Sequence, residues 1–333
     1  MDFNLSSMGS SPKAPAEPVH VKVLILGSGP AGLSAALYAA RADLNPVVLA
    51  GMDLGGQVAL TYTVENYPGF PEGVSGPDLV NLFQKQAERF GAKVEFDTAT
   101  EVDLSQRPFR VKTYNGEYLA ETLIISTGAT PTRLGVPGEN KLTGRGVSFC
   151  ATCDGWFFKG KNVIVVGGGD SAIEESLFLT RYADSVTVVH RRDELRAGAI
   201  LQKRAFAEPK IKFIWNSVVT DIHGESKVES VTLKNVITQD TTEMPVDGVF
   251  IFIGHTPNTQ LFTGQLEMDD QNYLVSDKRM RTNVEGVFAC GESADPVFRQ
   301  VITSAGMGAA AAIQANHFLD AQEMDAETAT AIS

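Results

Sequence analysis

The sequence predicts an α/β fold of two Rossmann-like nucleotide-binding domains in three layers, β/β/α. Two observations predict the doubling. An apolar strand pattern, VHVKVLIL over 19–26, runs straight into Gly27-Ser-Gly29-Pro30-Ala31-Gly32 and a helix-forming stretch, LSAALYAAR. A second strand pattern, NVIVV over 162–166, runs into Gly167-Gly-Gly169-Asp170-Ser171-Ala172 and IEESLFLTRYA. A glycine turn between strand and helix is the arrangement that sets a dinucleotide pyrophosphate on a helix N-terminus. The third observation lies between the loops: Cys150-Ala-Thr-Cys153-Asp154-Gly155 holds two of the chain's three cysteines.

At 333 residues the chain is long for one core and suggests about two domains. The net charge of −12 argues against nucleic acid and anionic membrane as partners. It does not argue against an anionic cofactor, which needs only a local basic pocket. No apolar run reaches the ~18 residues of a membrane helix. The N-terminus has no cationic start or apolar core of a secretory signal, and with few cysteines this points to a cytoplasmic protein.

Residues 1–18 are rich in Ser, Pro and Gly and read as a disordered tail. In the first loop Gly27 permits the tight turn, Gly29 lets a pyrophosphate approach, and Gly32 lets helix and strand pack closely. The next strand, 46–50, ends in Ala50-Gly51, where a generic fingerprint would place an acid for the ribose. Gly55-Gly56-Gln57 and Glu65-Asn66-Tyr67-Pro68-Gly69 read as loops, and a helix opens at Gly76-Pro77-Asp78 and runs to about Phe90. The strand Leu123-Ile-Ile ends in the small-residue turn Ser126-Thr127-Gly128-Ala129, and Pro131 and Pro137 mark a crossover.

The C-x-x-C can close as a disulfide or open as a dithiol, and Asp154 beside it can move a proton to or from a thiolate. A structural disulfide or half a zinc site are the alternatives. A zinc site would want a second cysteine pair or a spaced histidine pair, and neither is present. The second loop is G-x-G-x-x-A, a permitted variant. Its second strand, 185–190, ends in His190-Arg191-Arg192-Asp193-Glu194-Leu195-Arg196. Arginines here suit a ribose 2′-phosphate, as in NADPH; the alternative is a basic helix start paired with Asp193 and Glu194. His190 either lines that pocket or packs at the strand end. Short strands follow over 210–253, then Gly254-His-Thr-Pro-Asn258. Strand 285–292 ends in Gly291-Glu292; Cys290 on it reads as an inert core thiol. A helix of small residues begins near Arg299-Gln300-Val301, suited to close approach by a ligand or to tight packing, and 321–333 read as a frayed, flexible polar tail.

Two dinucleotide loops beside a redox pair imply an electron path from a nicotinamide through a flavin to a disulfide, each step a two-electron transfer. The motifs GSGPAG, GGQ, ENYPGFPEG, STGA, CATCDG, GGGDSAIEE, HRRDELRA, GHTPN and FRQVITSAG occur in one order over roughly 19–320. In these the chain resembles the low-molecular-weight, bacterial-type thioredoxin reductases of the pyridine nucleotide-disulfide oxidoreductase family, which also lack the acid after the first fingerprint. The resemblance implies an FAD domain in two pieces, 19–131 and 260–320, with the NADPH domain, 132–259, inserted between them. It implies FAD on Gly27, Gly29, Pro30, Ala31, Gly32, Gly56, Gln57, Asn66, Thr127, Gly128, Gly291, Glu292, Arg299, Gln300 and Val301. It implies NADPH on Gly167, Gly169, Asp170, Ser171 and Ala172, with Arg191, Arg192 and Arg196 at the 2′-phosphate and His190 in the same pocket.

By the same resemblance, Cys153 receives electrons from the flavin, Cys150 attacks the disulfide of thioredoxin, and Asp154 serves as acid. The NADPH domain of such proteins swings between two poses, and they are usually homodimers. Three residues depart from the family pattern: Glu292 where Asp is usual, Phe298 where Tyr is usual, and Trp156 where Phe is common. A flavin disulfide oxidoreductase with another electron donor and a flavin-binding redox sensor without turnover are the competing expectations. The intact HRRDELR favours NADPH.

Overall fold

The computed structural model describes residues 17–332 apart from Asp53 and Tyr62, so residues 1–16 of the expected N-terminal tail lie outside the described residues. Contacts divide the chain into two compact units. One takes the described parts of Met1–Gly56, Val80–Gly128 and Asn258–Ser333; the other takes Gln57–Leu79 and Ala129–Pro257. The division differs from the boundaries read in the sequence chiefly at 57–79, which groups with the second unit.

The first unit opens with β1 (Val19–Leu26), α1 (Pro30–Arg41), β2 (Val47–Leu49), α2 (Gly76–Arg89) from Val80 onward, β3 (Lys93–Glu95), β4 (Ala99–Asp103), β5 (Phe109–Thr113) and β6 (Glu117–Ile125). Strands run in the order β3-β2-β1-β6-β5-β4, parallel from β3 to β6 and antiparallel from β6 to β4. The second half of β1, Val23–Leu26, is apolar on both faces because both are covered. Val23 and Ile25 join the core with Ala35, Ala36 and Ala39 of α1, while Leu24 and Leu26 face the other way, toward Phe109 and Val111 of β5.

The second unit follows the same plan. Its elements are β7 (Ala129–Pro131), α3 (Glu139–Leu142), β8 (Val147–Ser148), α4 (Ala151–Asp154), β9 (Asn162–Val166), α5 (Asp170–Leu179), β10 (Ser185–Val189) and α6 (Ala199–Ala207), then β11 (Ile211–Ile214), β12 (Ser217–His223), β13 (Ser230–Asn235), β14 (Thr241–Pro245), β15 (Gly248–Ile251) and β16 (His255–Pro257). A parallel sheet, β11-β10-β9-β15-β8, carries α5 on one face and the antiparallel meander β12-β13-β14 belongs to the other. β9 sets the layers by its period of two. Val163 and Val165 meet Ile173 and Leu179, whereas Ile164 and Val166 meet Val219, Ile222, Val231 and Leu233. β7 and β16 pair antiparallel where the chain enters and leaves this unit.

The chain then returns to the first unit. β17 (Val287–Ala289) adds parallel to β6, and α7 (Val301–Ile332) closes the chain. The stretch 321–332, expected as a frayed tail, instead prolongs α7. It contains no Gly or Pro, its Ala, Gln, Glu and Met favour helix, and lengthening an existing helix needs no new nucleus. Gln322 also accepts a hydrogen bond from Arg107 at 3.0 Å, and Glu323 pairs with Lys22 of β1 at 2.9 Å. Among the described residues no helix is long and apolar enough to cross a membrane.

Candidate active site

The glycines of the first loop divide by what surrounds them. A Cβ on Gly32 would strike the Gly27 carbonyl oxygen, and one on Gly27, at φ +106°, would strike the Ser126 carbonyl. These two let α1, β1 and the turn after β6 pack. Gly29 instead has nothing within 4 Å of a would-be Cβ. It caps α1 with no side-chain hydrogen bond, and the first turn holds no acid, so the helix N-terminus is left for an anion. The loop therefore fits a dinucleotide pyrophosphate. Gly32→Ala is expected to destabilise the flavin-free protein by about 1–3 kcal/mol. Gly29→Ala should leave its thermal unfolding nearly unchanged yet weaken flavin binding; unfolding curves and flavin fluorescence titration read the two effects separately.

Several expected partners gather at this loop. Ser28 Oγ donates to Ala50 O at 3.2 Å and accepts from Gly55 N at 3.0 Å, which fastens the end of β2 and Gly55-Gly56 to it. Gly56 lies against Gly29, 3.7 Å from a would-be Cβ to the Gly29 Cα. Gly291, at φ +67°, packs on Ala31, the first-turn residue of α1, and Gly308 of α7 packs on the Ala31 backbone. The small residues of α7 thus serve helix packing at Gly308, while Gly306 stays open with nothing within 4 Å. Thr127 Oγ1 donates to Asn258 O at 2.7 Å, and Asn258 returns bonds to the Thr127 and Gly128 carbonyls, each 2.9 Å. Gln57 and Asn66 fall in the second unit.

After β17 the carboxylate of Asp295 accepts from the backbone N of Val297 and Phe298, at 2.9 and 3.0 Å, shaping the turn that leads to Arg299. Burial pushes the Glu292 carboxyl above its ordinary range; Arg299 pulls it back and Asp295 pushes it further. Gln300 and Val301 begin α7, with Gln300 O accepting from Ser304 N at 3.0 Å. Cys290 is fully buried and its thiol is pushed up to about 12, so it stays protonated.

In the second loop Gly167 packs on the Phe252 carbonyl and on Ala172, and Gly168 lies under the His190 ring. Around a would-be Gly169 Cβ the one near atom is Arg196 Nη2, at 3.9 Å. The arginine segment is tied back to this loop. Gly168 O accepts from Arg196 N at 2.7 Å and Ala197 N at 3.1 Å, and Asp170 Oδ1 accepts from Gly198 N at 2.7 Å. Ser171 is exposed and Ala172 buried behind it. The basic helix start weighed in the sequence is not formed: 191–198 is irregular, with bends at 191–194, and α6 begins only at Ala199. Arg191, Arg192 and Arg196 are exposed and form no ion pair with Asp193 or Glu194. His190 is 5% exposed, stands edge-on to Trp215, and its Nε2 has no hydrogen-bond partner. Burial lowers its pKa below the ordinary imidazole value, with Arg196, Arg192 and Arg191 adding to the effect against a backbone bond to Glu194.

Cys150 and Cys153 are joined as a disulfide with Cα atoms 5.3 Å apart. Cys150 is the N-cap of α4, its Sγ accepting from Cys153 N at 3.2 Å. Ala151 N donates to Glu175 Oε2 of α5 at 3.1 Å, which braces the redox turn on the helix of the second loop. Ser148 Oγ stands 2.6 Å from Asp154 Oδ2. Burial raises the Asp154 carboxyl above its ordinary value, and the Ser148 hydroxyl offsets part of this. A carboxyl that holds its proton more tightly is suited to act as an acid at a thiolate. Trp156 is 54% exposed beside the disulfide turn, between the Tyr182 edge and Lys159. Ser148, Glu175 and Asn258 were not singled out in the sequence, although Glu175 and Asn258 sit inside the motifs GGGDSAIEE and GHTPN.

The profile of the pyridine nucleotide-disulphide oxidoreductases matches residues 21–308. A thioredoxin reductase of Rickettsia conorii is 52% identical over 307 residues, covering 91% of this chain and 99% of the relative. One of Streptomyces clavuligerus is 50% identical over 316 residues, covering 93% and 98%. The crystal structure of thioredoxin reductase from Streptococcus pyogenes superposes with a TM-score of 0.88 at 43% identity, covering 91% of this chain and 99% of that one. With both glycine loops and the disulfide inside the matched span, the chain belongs to the pyridine nucleotide-disulphide oxidoreductase family.

Proposed function

We propose that this protein is an NADPH-dependent thioredoxin reductase: it passes two electrons from NADPH through FAD to Cys150–Cys153, and from there to the disulfide of thioredoxin. The observation that carries the reading is the Cys150–Cys153 disulfide on a turn that also holds a half-buried acid, Asp154, and is braced on α5. Bound FAD would supply the conversion between hydride transfer and disulfide reduction. Gly29 and the open end of α1 would hold its pyrophosphate, and Gly27, Pro30, Ala31, Gly32, Gly56, Thr127, Gly128, Gly291, Glu292, Arg299, Gln300 and Val301 of the same unit would meet the rest of FAD. Gly167, Gly169, Asp170, Ser171 and Ala172 would hold NADPH, with Arg191, Arg192 and Arg196 at its 2′-phosphate and His190 packed behind Gly168.

Two electrons and two protons open the disulfide to a dithiol. Cys150 loses its proton and attacks the thioredoxin disulfide as a thiolate; that bond breaks, a mixed disulfide forms, and the first thioredoxin sulfur leaves as a thiolate that takes up the proton Cys150 lost. Cys153 loses its proton to solvent and attacks Cys150 Sγ, re-forming the internal disulfide and expelling the second thioredoxin thiolate, which takes its proton from Asp154. The domains proposed for this work are 19–131 with 260–320 for FAD and 132–259 for NADPH. A homodimer in the cytoplasm, where a dithiol is maintained, completes the proposal.

Anaerobic titration of the flavin-loaded protein tests it. Addition of NADPH should bleach the flavin band, and oxidised thioredoxin should restore it. Bleaching without recovery would remove thioredoxin as the acceptor and leave a flavin disulfide oxidoreductase of another dithiol.

A further inference from the structure

Ser148 ends β8 two residues before the redox turn, is 4% exposed, and touches that turn at three points. Its Oγ lies 2.6 Å from Asp154 Oδ2 and 3.2 Å from Cys150 O, and it accepts from Cys150 N at 3.1 Å. A hydroxyl has one hydrogen and two lone pairs, so it cannot donate to both oxygens at once. The two acceptors correspond to two states of the acid. With Asp154 ionised, the Ser148 hydrogen points to Oδ2. With Asp154 protonated, its own hydrogen goes to Ser148 Oγ, and the serine hydrogen turns to Cys150 O. Each state satisfies every group with the same heavy-atom positions.

We propose that Ser148 is the positioning residue for Asp154: its hydroxyl holds the carboxyl group on the redox turn and rotates between Oδ2 and the Cys150 carbonyl as that group loses and gains its proton. This rests on the reading of Asp154 as the acid. The proton that Asp154 gives to the departing thiolate leaves a carboxylate, which Ser148 then stabilises; reprotonation from solvent reverses the rotation. The elements around the turn bring little other charge. α5 offers Glu175, engaged with Ala151 N; β8 and the turn 155–158 offer no ionisable side chain; Lys159 and Tyr182 flank Trp156. Asp154 owes its shift to burial, with Ser148 the opposing influence.

The test uses flavin-loaded enzyme and two readouts. One is the pH profile of the reaction of pre-reduced enzyme with oxidised thioredoxin. The other is infrared titration of the protonated carboxyl band that Asp154→Asn removes, which needs no turnover. Ser148→Ala withdraws a donor from the ionised carboxylate, so both apparent pKa values should rise by about one to two pH units. Ser148→Thr, which keeps the hydroxyl, should leave both near their original values. If Ser148→Ala does not retain flavin, the isosteric pair Ser148→Thr and Ser148→Val decides, with the upward shift in Val alone. Unshifted values in the hydroxyl-free variant, with Asp154→Asn still slowing the reaction, would overturn the proposal and leave the acid in place. An unchanged reaction and pH profile in Asp154→Asn would instead remove the acid, and the proposal with it.

Discussion

Cys153→Ser is expected to leave the flavin bound and bleachable by NADPH while thioredoxin turnover falls by at least about a thousandfold. The fold of the redox turn does not depend on the lost sulfur. The bond that caps α4 runs from the backbone N of Cys153 to Cys150 Sγ, and Ala151 N is held by Glu175. What disappears is the internal disulfide: a serine hydroxyl neither forms it nor expels thioredoxin from a mixed disulfide at Cys150. Rescue by the third cysteine is closed, because Cys290 is fully buried with its thiol pushed up to about 12. At pH 7 about one such thiol in 10⁵ is ionised. Stopped-flow reduction by NADPH and steady-state thioredoxin assays give the two numbers separately. Retained thioredoxin turnover would mean that electrons reach thioredoxin by a route that bypasses the pair, and the assignment would fail.

The parts of this site that were legible in the sequence are local. A strand, a glycine turn and a helix are contiguous at 19–41 and at 162–179, so their chemistry shows in spacing alone. The cysteine pair is legible for the same reason. Contacts made by the fold are different. Asn258 braces Thr127 from 131 positions away, and no local pattern announces it. Ser148 is an ordinary serine until β8 turns into α4 and sets its hydroxyl on Asp154. The apolar end of β1 marks a buried strand but not which of its residues meet α1; packing assigns Val23 and Ile25 to that side. The charge of the arginine segment is legible in its residues, but its backbone is not: bonds from Arg196 N and Ala197 N to Gly168 O tie it to the loop, and the helix start weighed as the alternative does not form. The end of α7 was lost to a polar composition that its helix-forming residues outweigh.

The arginine segment carries the second large effect. Changing Arg191, Arg192 and Arg196 together to Ala should weaken NADPH by about a hundredfold and NADH by no more than a few-fold. In a chain of net charge −12, three exposed guanidiniums without acidic partners form a local basic patch. The patch is fixed to the second glycine loop through main-chain bonds, from Arg196 N and Ala197 N to Gly168 O, which side-chain truncation leaves in place. The loss should therefore follow the 2′-phosphate and not the fold of the loop. Because the arginines are exposed, salt screens them, and raising ionic strength should narrow the NADPH preference of the native protein more than that of the variant. His190 reports on the same field from inside. The three arginines lower its pKa, so their removal should raise it, and imidazole proton resonances across a pH titration would show the rise without any cofactor present. Equal losses for NADPH and NADH, with His190 still titrating upward, would mean that the arginines are held against the loop but do not read the phosphate.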